Sequence, residues 1–128
     1  MAYSNFDAYW PDYVRAHSNK LNRTLHAIGV CLALACIVAA VKQRRPWLLL
    51  GAPLFGYGFA SAGHFFVEKN APATFSHPLY SLRASLVMFF KTVSGRMDDE
   101  VARILQDDGS PAAEPHEDAA SEPVTAVN

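Results

Sequence analysis

The chain has 128 residues, 51% of them hydrophobic and 18% charged, with a formal net charge of -1. That length fits one modest domain and not two, and the near-neutral balance hides a split: residues 1–97 carry ten Lys or Arg against three acids, and residues 98–128 carry one against nine. The cations of the first part are dispersed at the ends of apolar runs, where a membrane surface accounts for them, so nucleic-acid binding is set aside.

The amino-terminal stretch MAYSNFDAYWPDYVRAHSNKLNR is aromatic and mixed in charge, without the pattern of a cleaved signal peptide. Phe6, Tyr9, Trp10, Tyr13, Val14 and His17 recur at helical spacing, which predicts an amphipathic helix lying at a membrane interface or against the rest of the fold. Pro11 should kink that helix or mark its start.

Next comes LHAIGVCLALACIVAAV, Leu25 to Val41, seventeen residues without a charge and at the lower edge of the length that crosses a bilayer. After the short KQRR segment, PWLLLGAPLFGYGFASAGHFFV runs from Pro46 to Val67, twenty-two residues interrupted only by His64. The pattern predicts an antiparallel hairpin of two membrane spans, with Pro46 in the first turn of the second. Leu79 to Val93 forms a further apolar helix that carries Arg83, so its sequence leaves open whether it crosses.

The remainder is acidic and has few large apolar residues after Gln106, which predicts disorder from about Gly109, with a short helix allowed over Glu100 to Leu105. His116, among acids and alanines, stays out of any site. The expected organisation is an all-α membrane bundle over residues 1–97 and an acidic tail over 98–128.

The polar residues of the apolar runs gather at one level. His26 stands sixteen residues before Lys42 and His64 nineteen after Arg45, so the hairpin places them within about 4–5 Å of the same depth. His17, Asn22, Glu68 and His77 fall at the same end. Stripes of small residues, Gly29, Ala33, Cys36 and Ala40 on one run and Ala52, Gly56 and Ala60 on the other, predict close helix approach that brings His26 and His64 face to face. Cys31 and Cys36 match no zinc spacing and read as ordinary packed thiols.

Imidazoles suit iron, zinc, copper and nickel, and His64 with Glu68 at i,i+4 presents nitrogen and oxygen together. The residues alone leave two readings open: a metal enzyme, a zinc-dependent membrane hydrolase among the possibilities, or a non-catalytic protein that binds lipid or a partner with its histidines as interfacial anchors. Arg23, Lys69 and Arg83 fall where cations mark the lipid headgroup level.

The segments YVRAHSNKLNRTLHAIG and GYGFASAGHFFVEKNAPATFSHPLYSL, with their G-H-x-x-x-E-x-x-x-P-A core, resemble the family of the fungal 2-hydroxy fatty acid dioxygenase of phytosphingosine breakdown, in its short bacterial form. The resemblance covers about residues 6 to 93. It implies a protein of the bacterial inner membrane that uses Fe(2+) and dioxygen to shorten a 2-hydroxy fatty acid by one carbon. It implies His17, His26 and His64 as metal ligands, with His77, from the ATFSHP pattern of the short form, as a further one. Glu68 and Asn22 would support catalysis by orienting the site, and Arg23, Lys69 and Arg83 would be the cations available to hold the substrate carboxylate. The chain departs from the long fungal form in lacking additional hydrophobic sequence between the histidine pair and the GH motif, and in having Ala60 where that form has glutamine.

Overall fold

The computed structural model describes residues 3–72 and 76–108. The disorder expected from Gly109, and His116 with it, lie outside the described residues. Every element of regular structure among those residues is a helix, with no strand among them.

Helix α1 spans Phe6–Arg15, and Asn5 starts it by accepting the Ala8 amide at 2.9 Å. Pro11 lies inside this helix and does not mark its start. Helix α2, Lys20–Gln43, begins at Asn19, whose side chain accepts the Leu21 amide. It ends at Arg44, which takes the left-handed conformation that stops a helix (φ 51°).

The second apolar run follows at once, but in three pieces. A 3-10 turn over Pro46–Leu50 leads into α3, Gly51–Ala62, and α3 passes into a π-helical turn, Gly63–Glu68. Pro46 occupies the first turn as expected. The run packs antiparallel along α2: Gly51 lies against Cys36, Gly29 against Phe55 and Phe59, Gly63 against Asn22, and Glu68 against Asn19.

At Gly29 a methyl group would come within 3.0 Å of the Phe55 carbonyl oxygen and the Phe59 Cβ, so glycine is what lets the two helices touch there. At Gly56 a Cβ would meet nothing within 4 Å. The small residues of α3 therefore do not all serve close packing.

Among the described residues one helix, α2, is long and apolar enough to cross a membrane. Its partner run is divided among segments each shorter than a span. Ile28, Leu34, Ile37, Val38 and Val41 of α2 and Leu54, Tyr57, Phe65 and Phe66 of the partner run stay uncovered by protein, an apolar surface of the kind that needs a partner or lipid.

Two further helices complete the fold: α4, Pro78–Val93, and α5, Met97–Asp107. The buried core lies between α1, α4 and α5: Tyr9, Trp10, Tyr13 and Val14 pack on Ala84 and Met88 and on Met97, Val101 and Ile104. Two hydroxyl pairs tie α1 to α4, Tyr9 with Ser81 at 2.8 Å and Tyr13 with Ser85 at 2.9 Å. Trp10 Nε1 donates to Glu100 on α5 at 2.7 Å. The expected boundary between residues 97 and 98 thus falls within the first turn of a helix that belongs to the core. Asp98, Asp99 and Glu100 suit that turn because carboxylates favour a helix amino terminus.

Candidate metal centre

His17 lies in the link between α1 and α2, His26 sits two turns into α2, and His64 lies in the π turn. All three are buried, at 0%, 7% and 2% exposure. Their rings stand edge to face, with centroids 4.5 to 5.2 Å apart, and one ligand nitrogen from each lies within 4.8 Å of the others. The hairpin turn and the π turn together produce this meeting, since π-helical turns shift a side chain off the face an α-helix would give it.

The free nitrogens of His17 and His64 follow from their partners. His17 Nδ1 lies 2.6 Å from the Tyr13 carbonyl; a carbonyl only accepts, so Nδ1 carries the proton and Nε2 presents its lone pair. Asn70 Nδ2 donates to the Ala16 carbonyl at 3.1 Å, which fixes the amide so that Asn70 Oδ1 accepts from His64 Nδ1 at 2.7 Å. His64 is thereby held in the same tautomer.

The Nε2 atoms of His17 and His26 are buried and have no hydrogen-bond partner in the protein. A buried polar atom without a partner is costly, and a cation shared by the three imidazoles removes that cost. Burial, followed by the neighbouring ring of His26, holds His17 well below its usual pKa. It is therefore neutral, the form that ligates a metal. Tyr13 stacks on His17 with centroids 4.0 Å apart, and burial raises its phenol above the usual value, so it stays protonated.

His77 is elsewhere. Its ring packs edge-on against Tyr3 at 4.9 Å and near Tyr9 and Tyr80, at the start of α4 and outside the three-histidine cluster. Glu68 Oε1 accepts from the Asn19 amide at 2.7 Å and from Asn22 Nδ2 at 3.3 Å. Asn22 is fully buried against Gly63, where a Cβ would overlap its side chain. The pair joins the two ends of the hairpin beside the histidines, and Glu68 is not among the residues of their cluster.

The three cations considered for a carboxylate have other partners or positions. Arg23, 4% exposed, donates to the carbonyls of His17 and Ser18 and pairs with Asp98. Arg83 lies 4.0 Å over the Phe6 ring. Lys69 is exposed and left-handed at φ 56°.

The histidines open into a cavity of about 350 Å³ bounded by α2, α3 and α4. Tyr13, Ser81 and Ser85 give it hydroxyl groups, and Val30, Leu34 and Ile37 of α2 with Gly56, Tyr57 and Ala60 of α3 make its wall apolar. Among the described residues, no Lys, Arg, Asp or Glu lines it.

Asn70, Arg23 and Tyr13 are the site residues that spacing alone does not single out. Asn70 stands at an unspecified position of the G-H-x-x-x-E-x-x-x-P-A segment. Arg23 looks like any cation at a span end, and Tyr13 like any aromatic on the α1 face.

A family model described as 2-hydroxy-palmitic acid dioxygenase Mpo1-like matches residues 3–97. No curated protein and no solved structure matches. The chain belongs to the Mpo1-like family.

Proposed function

We propose that this chain is an iron(II)-dependent dioxygenase of the membrane that shortens 2-hydroxy fatty acids by one carbon. One observation carries the reading: three buried imidazoles with converging nitrogens stand at the head of an apolar cavity. An all-nitrogen donor set with unpartnered Nε2 atoms fits a transition metal, and membership of the Mpo1-like family supports an oxidative chemistry.

His17, His26 and His64 would hold the iron. When bound, the metal gives dioxygen and the hydroxycarboxylate a common centre, which their direct reaction lacks. The overall change balances as 2-hydroxy acid plus dioxygen giving the acid one carbon shorter, carbon dioxide and water. The bond between C1 and C2 breaks, C2 rises from alcohol to carboxyl, and C1 leaves as carbon dioxide.

The chain's own residues hold and orient. The Tyr13 carbonyl and Asn70 fix two of the rings, and Glu68 and Asn22 hold the hairpin ends at the distance that lets the rings meet. The apolar walls receive the acyl chain and keep water from it. His77 has no part in this ligand set.

In this reading α2 and the run from Pro46 to Glu68 cross the bilayer together, the histidines lie at one face, and α1 rests in the interface. A bacterial inner membrane is the proposed location. The test is oxygen uptake by anaerobically purified, iron-loaded protein supplied with 2-hydroxy fatty acids or with the same acids lacking the hydroxyl. Uptake with the first set alone, matched one to one by carbon dioxide, is expected. Equal uptake with both, or none with either, would end the proposal.

A further inference from the structure

The cavity has a direction. Along α2 its lining runs from His26 through Val30 and Leu34 to Ile37, and along α3 from His64 back through Ala60 and Gly56 to Ala52. Eleven residues of helix separate His26 from Ile37, so the slot is about 16 Å long, with the imidazoles at one end and only apolar residues at the other. Gly56 lies on its wall two helical turns from His64, about 12 Å along the helix, and its carbonyl faces Gly29, one turn after His26, so it stands near the middle of the slot.

The stripe Ala52, Gly56, Ala60 therefore lines a hollow on its side-chain face, although the Gly56 carbonyl lies beside Gly29. The close approach of α2 and α3 is made at Gly29, where an added Cβ would press on Phe55 and Phe59; at Gly56 an added Cβ meets only open space. A side chain there would enter the slot without displacing backbone. The unpartnered, buried Nε2 atoms of His17 and His26 mark the end at which a ligand's polar head belongs.

We propose that Gly56 sets the chain length this protein accepts: its missing side chain leaves the slot open beyond its middle to the distal carbons of an unbranched acyl ligand. The inference rests on the reading of the cavity as an acyl site and goes beyond it by naming the residue that measures the chain.

Gly58 supplies the control. It lies on the same helix, is exposed, and an added Cβ there also meets nothing, but it does not line the slot. Both Gly→Leu changes favour helix, so neither should prevent folding. The experiment measures displacement of a fluorescent fatty acid from the full chain in nanodiscs by a series of 2-hydroxy fatty acids of increasing length, for wild type, Gly56→Leu and Gly58→Leu.

Wild type and Gly58→Leu should bind long chains better than short ones. Gly56→Leu should bind short chains as wild type does and long chains about tenfold more weakly, the affinity that a couple of buried methylenes carry. A Gly56→Leu profile superimposed on wild type, or the same shift in Gly58→Leu, would overturn the role of Gly56. A wild type that binds no member of the series would instead overturn the acyl reading on which the inference stands.

Discussion

His64 is tied to Ala16 by a single side chain: Asn70 accepts from His64 Nδ1 at 2.7 Å and donates to the Ala16 carbonyl at 3.1 Å. The third histidine is thus positioned from the segment that carries the first, although they belong to opposite ends of the hairpin sequence. Lys69 makes this reach available by taking the left-handed conformation directly after the π turn.

Asn70→Ala removes both bonds and leaves the His64 ring free to turn. Loss of such a supporting partner weakens metal affinity by about 10–100-fold. Competition with a calibrated chelator should show this decrease while circular dichroism stays as in wild type, and unchanged affinity would mean that the ring is held by packing alone.

Gly63→Ala places a methyl group on the Asn22 side chain. Both lie in the rigid junction of α2 and the π turn, so overpacking should cost about 1–3 kcal/mol. The change should be felt less once Asn22 is also shortened to alanine, because contacting residues do not act additively. Thermal unfolding of the two single variants and the double would show this coupling; strict additivity would deny the contact.

Helix α5 belongs to the folded unit. Ending the chain after Asp108 keeps Met97, Val101 and Ile104, whereas ending it after Arg96 removes them and strands the Trp10 indole without Glu100. The first truncation should unfold at the wild-type temperature. The second should unfold well below it or fail to accumulate, and equal stability of the two would contradict the packing described here.

Asp98 reaches across from α5 to Arg23, which in turn holds the His17 carbonyl. The hydrogen bond from Arg23 lowers the Asp98 pKa from its ordinary 3.8. A depressed carboxyl stabilises the fold above its unfolded pKa and loses that contribution as pH falls through the folded value. Acid unfolding of wild type should therefore include a component below pH 3.8 that Asp98→Asn lacks, with the variant less stable than wild type at neutral pH. Superimposable pH profiles would show that the ion pair is inert.

Much of this architecture is legible from residue order. The short KQRR segment between two apolar runs allows only a hairpin, and counting from it brings His26 and His64 to one level. What the count misses is local geometry. A straight helix through Gly56, Ala60 and His64 has no π turn, so it cannot show Asn70 folding back onto the His64 ring. Four-residue steps of small side chains look the same whether they admit a neighbouring helix, as Gly29 does, or line a hollow, as Gly56 does. His77 is close in sequence to the cluster, but α4 starts there and carries its ring to Tyr3 and Tyr9. Charge hides α5: its three leading acids read as a tail, although Met97, Val101 and Ile104 recur at the spacing of a buried face.

The central claim is that His17, His26 and His64 jointly hold one iron. Elemental mass spectrometry of anaerobically purified protein, wild type beside His64→Ala, tests it most directly. About one iron per chain in wild type, lost in the variant while the helical content is kept, is the predicted result. Wild-type protein that takes up no metal even after reconstitution with iron(II), or a His64→Ala variant that retains its full metal content, would contradict it.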